Sequence, residues 1–228
     1  MSGRFGAAFE SAGAWLLEPA QPGRQAELDA PASLRPVVAV FGLAPGCGAT
    51  VVARALAAEL ARRDRDGAAA VHCESRLAGV TLATAAAHRL SRELAEVRAA
   101  ETRAVGRLCL VGGAECGALA DAARHVAPLV LDAGATALGG VAAAVADRVV
   151  VVGGPATEPA LESVAVDCLE RVGRDPLMVR NRTIAAADTT HVLPDSRMGA
   201  QLALGGREAR GELGRAVARI ADLCGLEQ

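Results

Sequence analysis

Short apolar runs alternate with longer stretches of helical periodicity from about residue 37 onward. Residues 37–41 (VVAVF) form a continuous apolar run closed by Gly42, the pattern of a strand buried on both faces. Residues 50–63 repeat apolar positions at helical spacing, with Val51, Ala55, Leu56 and Leu60 on one face. Further strands are expected at 68–73, 107–111, 128–131, 148–152, 176–180 and 191–193. Helices are expected over 77–100, ahead of the fourth and fifth strands, over 158–172 and over 206–226. In the closing helix Leu213, Ala216, Val217, Ile220 and Leu223 share a face opposite Arg215, Arg219 and Asp222, an ordinary core-packing stripe. Strands alternating with helices of this length imply right-handed crossovers. The expected class is α/β, Rossmann-like, with a mostly parallel sheet of about seven strands and helices on both faces. Such sheets bind ligands beyond the carboxyl ends of their strands.

Residues 1–36 follow a different pattern. Phe5, Phe9, Ala12 and Leu16 fall at helical spacing, with Trp15 beside them, and Pro19, Pro22, Pro31 and Pro36 then break the chain. This reads as an amphipathic segment on a Pro-rich linker (1–36) ahead of one domain (37–228). The segment either folds back as a cap or docks a protein partner. A membrane-surface role is the weaker alternative, because the basic face that anionic lipid prefers is missing.

Composition narrows the function. Of 228 residues 52% are apolar, so a sizeable core is expected, but 53 are alanine and none is tyrosine. The core must come from Val and Leu on strands packed against small-faced helices. A net charge of −2 argues against a nucleic-acid partner held by bulk charge. All 24 basic residues are arginine, and the chain has no lysine. The six cysteines form no CxxC pair and the four histidines show no metal-ligand spacing, so a reduced, cytoplasmic protein is expected. No apolar run approaches the ~20 residues of a membrane span, so no integral membrane association is expected.

The chemistry concentrates after the first strand, in Gly42-Leu43-Ala44-Pro45-Gly46-Cys47-Gly48-Ala49-Thr50. A glycine-rich turn between a buried strand and a helix N-terminus points backbone N–H groups inward and adds the positive end of the helix dipole. Amides from Gly46 through Val51, including those of Cys47, Gly48, Ala49 and Thr50, could cradle an anion, although Pro45 lacks one. The phosphate-loop pattern GxxxxGK[ST] is matched only in part: Gly48 and Thr50 are present, with Leu43 and Ala49 in place of the first Gly and the Lys. The Thr50 hydroxyl is placed to ligand Mg²⁺. A structural turn without a ligand is the competing reading. Cys47 at the helix N-terminus is either a reactive thiol or a small residue tolerated in a turn.

The segment VVAVFGLAPGCGATVVARALAAELAR resembles the opening of the MinD/ParA group of P-loop ATPases, whose deviant Walker A motif reads GKGGxGKT. The resemblance continues in order to about Leu223. Residues 128–134 (PLVLDAG) resemble the Walker B strand, 146–152 (ADRVVVV) the following strand, 177–182 (LMVRNR) the strand ending in "Nr", and 192–197 (VLPDSR) the last nucleotide-side loop. It implies a P-loop NTPase fold, ATP or ADP with Mg²⁺ as cofactors, and Thr50 and Asp132 on the metal side. It further implies Glu74 as a water-orienting carboxylate, Asn181 as the adenine contact, and Pro194 and Asp195 beside the nucleotide.

Two departures accompany it. The family's signature lysine aligns with Ala44 and its P-loop lysine with Ala49. Without lysine the chain is expected to have no cation for the developing phosphoryl charge, since no arginine lies between Arg35 and Arg54. Alanine at the P-loop position is similar to the CpaE/TadZ-like and septum-site-determining-like branch. The reading is a nucleotide-binding localisation, scaffold or regulatory factor of the pilus-assembly or cell-division kind, with weak or absent hydrolysis. It implies a protein partner through the N-terminal segment, a homodimer, and peripheral recruitment to a membrane-bound complex. A slow partner-activated ATPase and a nucleotide-free pseudo-ATPase interaction module remain open beside it.

Overall fold

The computed structural model describes residues 34–73, 101–112, 116–134, 138, 140–182 and 191–224. The aromatic N-terminal segment, the helix expected over 77–100 and Glu74 lie outside the described residues.

The element order is β1 (Val37–Gly42), α1 (Ala49–Arg63), β2 (Ala68–His72), β3 (Glu101–Val105), β4 (Leu108–Gly112), α2 (Cys116–Ala123) and β5 (Leu129–Gly134). There follow α3 (Val141–Val145), β6 (Arg148–Gly153), α4 (Pro159–Arg171), β7 (Pro176–Asn181), β8 (His191–Leu193), α5 (Arg197–Leu204) and α6 (Gly211–Leu223). Eight strands form one sheet in the order β3-β4-β2-β5-β1-β6-β7-β8. Every pairing is parallel except β3 with β4. The expected seven strands are all present, and β3 is an additional antiparallel edge.

β1 lies between β5 and β6, and Val37 through Phe41 are fully buried. Alternate residues of the strands feed two cores. Val38, Val40, Ala68, Ala70, Leu108, Leu110, Val130 and Val150 pack under α1, α5 and α6. Ala39, Phe41, Val71, Cys109, Leu129, Leu131 and Val151 pack under α2, α3 and α4. This two-sided burial is why the central strands read as unbroken apolar runs. The small face of α1 (Ala53, Ala57, Ala61) sits inside the first core. In α6 the predicted stripe is buried through Ile220, while Leu223 is half exposed.

At the amino ends of the strands, Asp147 accepts the Val37 N–H at 2.8 Å and both Arg124 Nη1 contacts at 2.9 and 3.0 Å. These bonds fix where β1 begins, and the loop at its other end inherits that register.

Candidate functional site at the carboxyl end of the sheet

The loop after β1 is shaped by close packing. A Cβ on Gly42 would stand 2.7 Å from Cys47 Sγ and 3.1 Å from Ala49 Cβ, so only glycine lets the chain turn back there. Leu43 N–H donates to Val152 O (3.0 Å), and Cys47 N–H to Ala44 O (3.2 Å), closing the turn. Gly46 and Gly48 adopt φ of +77° and +93°, the left-handed region that glycine enters without strain. Helix α1 then starts at Ala49, and its first backbone bond is Val52 N–H to Gly48 O. The N–H groups of the first turn have no intrahelical acceptor. Among the described residues no hydrogen bond uses the N–H of Gly48, Ala49, Thr50 or Val51. The amides of Gly48 through Val51 are thus left without a backbone acceptor, whereas the Cys47 N–H, expected in the same cradle, is spent on Ala44 O. Cys47 is buried and fills the turn as a small packing residue.

Asn181, at the tip of β7, is buried beneath this loop and its Nδ2 donates to Cys47 O at 2.9 Å. A side chain on Gly48 would run into that same Nδ2. The residue expected at adenine thus has its amide group engaged in holding the loop. The next residue, Arg182, is exposed, and its Nη2 donates to Gly46 O at 2.8 Å. The sequence offered no cation for this loop; the fold brings one from 136 residues away.

Two open cavities adjoin here. One, of about 300 Å³, is lined by Ala44, Pro45, Cys47, Thr157, Arg182 and Asp195, with the 154–156 turn completing it. The second, of about 640 Å³, is lined by Arg182, Val192, Pro194, Asp195, Glu212 and Arg215, together with Arg219. Asp195 therefore shares a cavity with the loop, Pro194 lines only the second cavity, and Arg182 and Asp195 belong to both.

Asp132 lies near the end of β5, opposite Val40 of β1 and His72 of β2, with its side chain 3% exposed. Its Oδ2 stands 3.0 Å from His72 Nδ1 in a largely buried pair, and neither atom makes a hydrogen bond among the described residues. Oδ1 accepts the Gly134 N–H at 3.3 Å. The Asp132 carboxylate raises the His72 pKa above its ordinary value, against the opposing pull of burial. Arg54 of α1 is buried as well. Its Nη1 donates to Leu204 O at 2.6 Å, and Nη2 has no partner among the described residues. Burial lowers the Arg54 pKa, while the charge of Asp132 opposes that shift.

A magnesium ion here would draw on the Thr50 hydroxyl and the Asp132 carboxylate. One carboxylate oxygen accepts the Gly134 N–H and the other faces a histidine that this contact favours in its charged form, with the Arg54 guanidinium adding to the same positive field. A dication at Asp132 would face two competing cations. The residues present do not fit a magnesium centre held through Asp132. Among the described residues no cluster of three or more His, Cys, Asp or Glu side chains could hold a metal elsewhere.

Sequence reasoning missed His72, Arg54 and Arg182. The available signals were a polar residue closing the apolar run AAAVH and a lone arginine inside VVARALAAEL. The structure also joins the sulfurs of Cys73, just past β2, and Cys116, at the start of α2, with Cα atoms 6.2 Å apart. This corrects the expectation of six free thiols. Cys47, Cys109, Cys168 and Cys224 remain free.

The mostly parallel α/β sheet, whose first strand runs through a glycine-rich turn into a helix, resembles the P-loop NTPase fold. Solved structures of the MinD/ParA ATPases share it. A ParA family ATPase from Chlorobium tepidum superimposes with a TM-score of 0.58 at 14% identity, over 83% of this chain and 98% of that one. MinD of Aquifex aeolicus, in a MinC:MinD cell division protein complex, gives 0.58 at 14% identity, over 82% and 96%. The septum site-determining protein MinD of Pyrococcus horikoshii, complexed with Mg-ADP, gives 0.57 at 14% identity, over 84% and 98%. At this identity the likeness establishes the fold. No protein-family model matches the sequence. No curated protein sequence matches it either. No described helix is long and apolar enough to cross a membrane.

Proposed function

We propose that this chain binds an adenine nucleotide, ATP or ADP, at the loop between β1 and α1 and acts as a regulatory or localisation factor whose own hydrolysis is weak or absent. The observation that carries the reading is the loop itself: first-turn amides free of backbone partners, ordered by Gly46, Gly48 and the Asn181 bond, with alanine at both lysine positions. Amides and a helix dipole suffice to hold phosphate oxygens. Accelerating phosphoryl transfer asks for positive charge placed on the transferring group, and Ala44 and Ala49 supply none. The engagement of Asp132 by His72 removes a second element of that chemistry.

The role through a partner, with the N-terminal segment as the contact and a homodimer as the assembly, is supported by the fold shared with MinD, which is described in complex with MinC. The pilus-assembly or cell-division setting belongs to this same proposal. Equilibrium titration of the full chain with fluorescent ATP, with and without Mg²⁺, tests it. Saturable binding with negligible turnover is expected. Absence of saturable binding at millimolar nucleotide, or brisk hydrolysis by the purified chain, overturns it.

A further inference from the structure

We propose that Arg182 is the phosphate-binding cation of this site, taking from the tip of β7 the electrostatic part that the loop's own residues lack. The inference rests on the nucleotide reading above and assigns within it a residue that the loop motif does not contain. The guanidinium lies over the turn: Nη2 donates to Gly46 O at 2.8 Å and would stand 3.8 Å from a Cβ on Gly154, so it sits where the β1–α1 and β6–α4 loops meet. Those two loops are in close approach, since the same Gly154 Cβ would be 3.2 Å from Cys47 Cα.

A guanidinium carries five N–H donors and the Gly46 bond uses one, which leaves four for oxygens of a ligand. Arginine is suited to phosphate because its planar fork donates in pairs. Among the described residues Arg182 is the only cation lining the 300 Å³ cavity beside the loop, and Asp195 the only anion. Both also line the adjoining 640 Å³ cavity, where Arg215 and Arg219 offset Glu212. An elongated ligand with phosphates at the loop and its remainder toward Pro194 would pass Arg182 at the junction.

The backbone supports the assignment independently. Arg182 has φ of +60°, the only non-glycine residue with positive φ among those described. Its N–H donates to Leu193 O at 2.9 Å, which fixes that conformation against β8. A left-handed residue with a side chain is strained, and such strain concentrates at working sites. Glycine would remove the strain, and arginine stands there instead.

The experiment measures binding of ATP, ADP and AMP to the full chain and to Arg182→Gly, Arg182→Gln and Arg182→Lys, at fixed ionic strength, by competition with a fluorescent ATP analogue. Arg182→Gly suits the +60° backbone, so loss of fold does not confound it. Loss of a charge-assisted contact should weaken ATP roughly ten- to hundredfold in the Gly and Gln variants. AMP should weaken much less, and Arg182→Lys should recover part of the ATP affinity. Equal weakening of all three nucleotides would mean that Arg182 only shapes the loop, and unchanged ATP affinity would mean that it faces solvent; either overturns the assignment alone. Wild-type protein that binds none of the three at millimolar concentration overturns the nucleotide reading and this inference together.

Discussion

Breaking the His72–Asp132 pair gives the sharpest test of the site's electrostatics. The pair is 3.0 Å long, His72 is 15% and Asp132 3% exposed at the side chain, and Arg54 lies buried on the same face. Replacing Asp132 by Asn keeps the shape and removes the only buried anion beside these two cations among the described residues. Removing one partner of a buried ion pair costs about 3–5 kcal/mol. His72 can shed its proton and relieve part of that, so the low end is expected, about 3 kcal/mol. For a domain of this size that is a fall in Tm of about 6–12 °C. The sign with pH follows from the His72 shift. Its folded pKa is raised above the unfolded value, so the pair contributes fully below about pH 6.5 and its contribution is lost as pH rises through the folded pKa. A double-mutant cycle with His72→Asn and Asp132→Asn, read by urea unfolding, should give a coupling of about 1–3 kcal/mol at pH 6 and much less at pH 9. Coupling below about 0.5 kcal/mol at pH 6, or equal coupling at both pH values, would refute the argument.

Three further outcomes are expected. Gly48→Ala forces a side chain into φ of +93° and against Asn181 Nδ2, so it should destabilise by about 2–4 kcal/mol in chemical denaturation and abolish nucleotide binding. Asn181→Ala removes the bond to Cys47 O and should cost about 1–3 kcal/mol, with hydrogen exchange at Gly46 and Cys47 rising more than in β5. Thiol titration of the denatured, unreduced chain should count four free cysteines, whereas six would show that Cys73 and Cys116 are not joined.

What could be read from the sequence is what is local. β1 and β6 were legible because burial on both faces leaves an unbroken apolar run. The loop was legible because its glycines, its proline and its missing lysines are consecutive. β3 was not: Glu101–Val105 carries charged residues and pairs only with β4, so its sequence looks like connecting chain. Helix α5 was missed because it has only eight residues, although Ser196 caps it by accepting the Gly199 N–H at 3.1 Å. The closing helix begins at Gly211 and not at 206: residues 207–210 carry no regular structure, and Arg210 is extended immediately ahead of it. His72, Asp132 and Arg54 meet from three elements, and Arg182 reaches the loop from a fourth. No spacing along the chain encodes such meetings; only the strand order does.

The alanine face of α1 sets how this protein tolerates change. Where Ala53 and Ala57 lie fully buried in the first core, trimming a side chain can remove only one methyl, worth about 1 kcal/mol in a helix. Enlarging one finds no vacant volume and costs about 1–3 kcal/mol in displaced neighbours. Most interiors are wounded chiefly by truncation, whereas this one is more vulnerable to added bulk. Because α1 also carries the amide cradle at its first turn, a valine at Ala53 or Ala57 would push the helix off the sheet and carry the phosphate loop with it.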